Sequence, residues 1–133
     1  MLDVRTRRRL LVVDDDDDLR EVLVTALVED GHEVHGARDG KEALELLEHQ
    51  PYDLVLSDLR MPGVDGPSLY EMLRTRHHFP VRFATKLPRV IFMTGNPSDH
   101  AEFLRGTTDP ILEKPFPLRV ARQMISVLLT AAS

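Results

Sequence analysis

The chain is 133 residues long, 42% hydrophobic and 29% charged, with a formal net charge of -5. That length suits one domain with one core, and the lack of any cysteine excludes disulfides, thiolate zinc sites and thiol catalysis. The acidic balance and the lack of tryptophan argue against nucleic acid as a direct partner, and no apolar run reaches the length of a membrane span or a leader.

A cytoplasmic protein without membrane insertion is therefore expected. The basic cluster Arg7-Arg8-Arg9 reads as solvated. It closes a short N-terminal flank over residues 1–8, ahead of a domain expected over residues 9–131.

Leu10 to Val13 form an apolar run that suits a strand buried on both faces, and five aspartates, Asp14 to Asp18, follow it. From Leu19 the period changes: Leu19, Val22, Leu23, Ala26 and Leu27 fall at helical spacing, and Gly31 supplies the stop. Glu33 to Ala37 read as a second short strand. Asp39, with Glu42 three residues on, has the spacing of a capping box. It opens a helix that turns Ala43, Leu44 and Leu47 inward until Pro51 ends it.

Leu54, Val55 and Leu56 make a third strand with Asp58 at its tip and Met61-Pro62-Gly63 as the turn beyond. Ser68 with Glu71 marks another helix start, carrying Leu69, Met72 and Leu73, and residues 77–88 read as an aperiodic connection. Val90 to Met93 make a fourth strand ending at Thr94-Gly95. Asn96 and Pro97 suit the cap and first position of a short helix through Phe103 and Leu104. Ile111-Leu112 are a brief fifth strand before Glu113-Lys114-Pro115. Pro117 opens a last helix with Val120, Ala121, Met124, Ile125 and Leu128 at helical spacing.

Strand and helix thus alternate throughout, which implies parallel strands joined by right-handed crossovers in a doubly wound α/β sandwich. In such a sheet every strand delivers its last residue to one edge, where ligands bind. That edge collects Asp14 and Asp15, Asp58, Thr94 and Lys114. Three clustered carboxylates repel, and a divalent cation or the lysine would relieve them. Oxygen-only ligands favour magnesium over zinc. With such an ion the parts read as a phosphoryl-transfer site: a carboxylate nucleophile, an ammonium to neutralise developing charge, and a threonine hydroxyl to hold the phosphoryl group. Asp16 to Asp18 read instead as a solvated acidic cap of the first helix. The six histidines show no metal-ligand spacing.

Val13-Asp14-Asp15, Asp58 before Met61-Pro62-Gly63-Val64-Asp65-Gly66, Met93-Thr94-Gly95 and Lys114-Pro115-Phe116 follow one another as they do in response-regulator receiver domains. The chain resembles that family of two-component signalling from about Arg9 to Leu129. The resemblance implies a flavodoxin-like five-stranded parallel sheet in the order 2-1-3-4-5. It implies that Asp58 accepts a phosphoryl group from the phosphohistidine of a sensor histidine kinase or a histidine phosphotransfer protein, with Thr94 and Lys114 assisting. Magnesium, with manganese as a substitute, would be held directly by Asp15 and Asp58, largely through water by Asp14, and by the Arg60 backbone carbonyl. The Lys114–Pro115 peptide would be cis. A downstream protein, its identity open, would read a surface switched through Thr94 and Ile111, and a homodimer could form on the face of the fourth helix, fifth strand and fifth helix.

Three features depart from the family pattern. Ile111 stands where an aromatic residue is common, the Asp58-to-Thr94 segment is longer than usual, and the helix after Asn96 is shorter. They motivate a second reading, a pseudo-receiver that binds a partner regardless of phosphorylation. A third, an aspartyl-nucleophile phosphatase, fits poorly because Arg60 stands two residues after Asp58 where that chemistry wants an acid. The chain stops near the end of the last helix, so the expectation is a single-domain regulator or the receiver piece of a hybrid kinase, without an output domain.

Overall fold

The computed structural model describes residues 7–60, 67–69, 71 and 88–131. Five strands form one parallel sheet: β1 (Arg9–Val13), β2 (Glu33–Ala37), β3 (Leu54–Asp58), β4 (Arg89–Thr94) and β5 (Ile111–Glu113). Their order is β2-β1-β3-β4-β5, the doubly wound flavodoxin-like arrangement. The helices are α1 (Asp17–Glu29), α2 (Gly40–His49), the helical residues 67–69 and 71 of α3, α4 (Ala101–Arg105) behind a 3-10 turn (Pro97–His100), and α5 (Leu118–Ala131).

The alternation of side chains along each strand sorts the core into two layers. Leu11, Val13, Val55, Val90 and Phe92 point to one face, where α2 brings Ala43 and Leu47, α3 brings Leu69, and α4 brings Phe103 and Leu104. Leu10, Val12, Leu54, Leu56, Ile91 and Met93 point to the other, under Leu23 and Leu27 of α1 and Ala121, Ile125 and Leu129 of α5. All five residues of β3 are buried, as befits a central strand with helices over both faces. Arg122 of α5 ties down the end of α1, donating to Asp30 Oδ2 and to the Ala26 carbonyl, each at 3.1 Å. Among the described residues no helix is long and apolar enough to cross a membrane.

Capping chemistry moves several boundaries. The first helix begins at Asp17, ahead of the apolar period at Leu19, because Asp16 is its N-cap and accepts from the backbone N–H groups of Asp18 and Leu19. Past its end Gly31 takes a left-handed φ of 97°, and its N–H donates to the Val28 carbonyl at 2.9 Å. Asp39 caps α2 by accepting from Glu42 N at 2.8 Å, while the Glu42 carboxylate faces Arg38 at 3.5 Å. In α3, Pro67 is already helical, so that helix starts before Ser68. Asn96 precedes the 3-10 turn as expected, but its side chain makes no cap bond and accepts from Ser98 Oγ at 2.6 Å. The turn Met61-Pro62-Gly63, the positions Met72 and Leu73, and most of the expected 77–88 connection lie outside the described residues.

Candidate functional site

The acidic edge is assembled by ladder bonds that run one residue past the strands. The Asp14 N–H donates to the Ala37 carbonyl at 3.1 Å, Leu59 N to Met93 O at 2.9 Å, and Lys114 N to Thr94 O at 2.7 Å. Asp14, Leu59 and Lys114 are thereby fixed although none belongs to a strand. Asp14 is fully buried, Asp58 is 5% exposed and Thr94 3%, whereas Asp15 faces solvent.

One carboxylate oxygen from each of Asp14, Asp15 and Asp58 lies within 4.8 Å of the others. At an effective dielectric near 20, two charges so spaced repel by roughly 3 kcal/mol. The Lys114 ammonium offsets part of that repulsion. It donates to Asp14 Oδ2 at 2.8 Å and lies 3.3 Å from Asp58 Oδ2. Asp14 Oδ1 accepts from the Asp16 N–H at 2.9 Å, and Asp58 Oδ1 from the Arg60 N–H at 3.3 Å.

Titration follows from this packing. Burial raises the Asp58 carboxyl above the ordinary aspartate range, and the Asp14 charge adds to it, while Lys114 and the Arg60 N–H pull the other way. For Lys114, burial lowers the ammonium's pKa, but its bond to Asp14 and the charges of Asp14 and Asp58 outweigh burial and leave it raised. The ammonium is held charged.

The site can accept a divalent ion. Two oxygens on one magnesium lie at most about 4 Å apart, twice the 2.0–2.1 Å bond, so oxygens already within 4.8 Å need shifts of under an ångström to close on it. All three donors are carboxylates, which suits magnesium or manganese. Among the described residues no buried polar side-chain atom lacks a hydrogen-bond partner.

The other predicted residues fall into two groups. The Thr94 hydroxyl, on the strand beside β3, accepts from Asn96 N at 3.1 Å, and the Lys114–Pro115 peptide is cis. Ile111 lies away from the acidic edge, opposite Phe92 in the β4–β5 register, and is 37% exposed. Arg60 lends Asp58 its N–H, but its side chain is 81% exposed and reaches Asp99 Oδ2 at 3.3 Å. That pair was not legible from spacing, since 39 residues separate its members. Arg20 was also missed. Its guanidinium donates to the Asp14 carbonyl at 2.7 Å and to Asp17 Oδ1 at 2.6 Å, pinning the acidic loop from behind. Only the i,i+3 spacing from Asp17 hinted at it.

Known proteins resemble this chain in sequence and fold. The family model described as response regulator receiver domain matches residues 10–126. FleR, a response regulator protein of Pseudomonas aeruginosa, is 35% identical over 110 residues, which cover 81% of this chain. The chain spans 22% of FleR's length. The receiver domain of the Francisella response regulator 1452 superposes with a TM-score of 0.78 at 29% identity, over 96% of this chain and all of that one. The response regulator TrrA of Thermotoga maritima, solved in complex with Mg(2+)-BeF, gives 0.75 at 29% identity over 91% of this chain and 98% of its own. Sheet order, acidic edge and sequence agree, and this chain belongs to the response regulator receiver domain family.

Proposed function

We propose that this receiver domain accepts a phosphoryl group on Asp58 from a phosphohistidine of a sensor histidine kinase or histidine phosphotransfer protein. The observation that carries the reading is the Lys114 ammonium bridging Asp14 and Asp58 at the carboxyl edge of the sheet, with the Asp15 carboxylate alongside. A carboxylate oxygen of Asp58 attacks phosphorus, the P–N bond of the donor breaks, and the electron pair returns to the imidazole. Lys114, already 3.3 Å from Asp58, neutralises charge on the phosphoryl oxygens, and the Thr94 hydroxyl donates to one of them. Asp14, Asp15, Asp58 and the Arg60 carbonyl are the groups that would hold magnesium or manganese, which supplies further positive charge when bound. The domain catalyses only its own phosphorylation and dephosphorylation, and its output is a shifted population of surface conformations.

Incubation with acetyl phosphate and magnesium tests the reading. Mass spectrometry is expected to find one phosphoryl group on Asp58 and none on Asp58→Asn. A label that persists in the variant removes Asp58 as acceptor. A second reading, a phosphorylation-independent binding module, draws on Ile111, an exposed aliphatic residue at the position expected to switch. It predicts a partner affinity that is the same before and after labelling.

A further inference from the structure

We infer that the Arg60–Asp99 ion pair is a latch on residues 97–105, and that a phosphoryl group on Asp58 opens it by taking the Arg60 guanidinium. The inference rests on the reading of Asp58 as phosphoacceptor. Arg60 begins at the reacting carboxylate, since its N–H donates to Asp58 Oδ1 at 3.3 Å, and its side chain crosses to Asp99 at 3.3 Å. Asp58 does not hold the guanidinium itself, because Lys114 already serves as its counter-ion. A phosphoryl group changes that balance. It replaces the single carboxylate charge of Asp58 with about -1.5 to -2 charges spread over three acceptor oxygens within the sweep of Arg60, against one solvated carboxylate on Asp99. The two partners are 81% and 41% exposed, so their present bond is weak and exchangeable.

A weak bond matters here because, among the described residues, the segment is lightly packed. Neither the 3-10 turn nor α4 contributes a buried residue, Asn96 gives the turn no side-chain cap, and Phe103 and Leu104 are only partly buried against the core. Segments so held open locally at small free-energy cost. Ile111 has no ring to swing toward Thr94 and stands 37% exposed at the edge of the sheet. The surface pair therefore gives phosphorylation a route to residues 97–105 that does not pass through that position.

Amide hydrogen exchange over residues 97–105, with acetyl phosphate in excess and labelling checked by intact mass, tests the latch. In the wild type, phosphorylation is expected to speed exchange by up to about fivefold, the range that loss of one exposed ion pair supports. Asp99→Asn is expected to take the label, to exchange at the fast rate before labelling, and to gain little from it. Raising the salt concentration on unlabelled wild type gives the same increase without any substitution. Labelled wild type with unchanged exchange overturns the latch alone. So does unlabelled Asp99→Asn that matches unlabelled wild type. A chain that takes no label on Asp58 overturns the phosphoacceptor reading, and the latch with it.

Discussion

β3 and the segment from Pro97 to Arg105 both flank Asp58, one as the strand that carries it and the other through Asp99, the partner of Arg60. They are held in opposite ways. Every residue of β3 is buried, and parallel ladders fix it on both sides to β1 and β4. The 97–105 segment has no buried residue and rests on the half-buried Phe103 and Leu104, with Phe103 edge-on to Phe92 at 5.2 Å. Chemistry that depends on carboxylates being close together needs the first kind of support. A surface that must change shape needs the second.

The contrast can be broken or sharpened by substitution. Leu56→Ala, at a fully buried site on β3, should cost about 2–5 kcal/mol by chemical denaturation. A cost below 1 kcal/mol would mean that the strand is not the rigid partner described. Lys114→Met comes next. It strips the counter-ion from two buried carboxylates, and with the lysine side chain 22% exposed the expected loss is about 1–3 kcal/mol at neutral pH. The raised folded pKa of Lys114 sets the sign: its stabilisation is complete below the ordinary lysine pKa and disappears as pH rises through the folded value. Wild type and Lys114→Met should therefore converge at strongly alkaline pH.

Asp58→Asn should go the other way and stabilise the metal-free protein at pH 7, because burial and the Asp14 charge both act against the Asp58 carboxylate. Because the folded pKa of Asp58 is raised, its carboxylate destabilises the fold above that pKa and ceases to do so below the ordinary aspartate value. The advantage of Asp58→Asn should shrink as a melting series is taken to acid pH. An advantage that stays constant with pH would place its origin outside this charge cluster. Ile111→Thr should have the smallest effect, within about 0.5 kcal/mol, since the side chain is partly solvated at an edge strand. A cost like that of Leu56→Ala would show that β5 belongs with the rigid region.

Much of this contrast is legible along the chain. Runs such as Leu54-Val55-Leu56 announce a strand covered on both faces, and a carboxylate or hydroxyl directly after each run announces the edge where they gather. The beginning of α1 was less legible, because the apolar period starts after the Asp16 cap has already set the first turn, and α3 is already helical at Pro67, ahead of the Ser68 start expected. The contacts that bind distant segments left no local mark. Arg60 with Asp99, Arg20 behind the Asp14 carbonyl, and Arg122 at the end of α1 are flexible side chains whose partners are chosen by the finished fold.

Lys114 has a bearing on how the protein is made as well as how it works. Small metal-dependent modules such as zinc fingers stay unfolded until their ion arrives, because nothing in the chain substitutes for it. Here the ammonium comes with the polypeptide and sits between Asp14 and Asp58 as soon as β5 joins the sheet. The chain can therefore close its acidic edge with its own ammonium, before any divalent ion is bound.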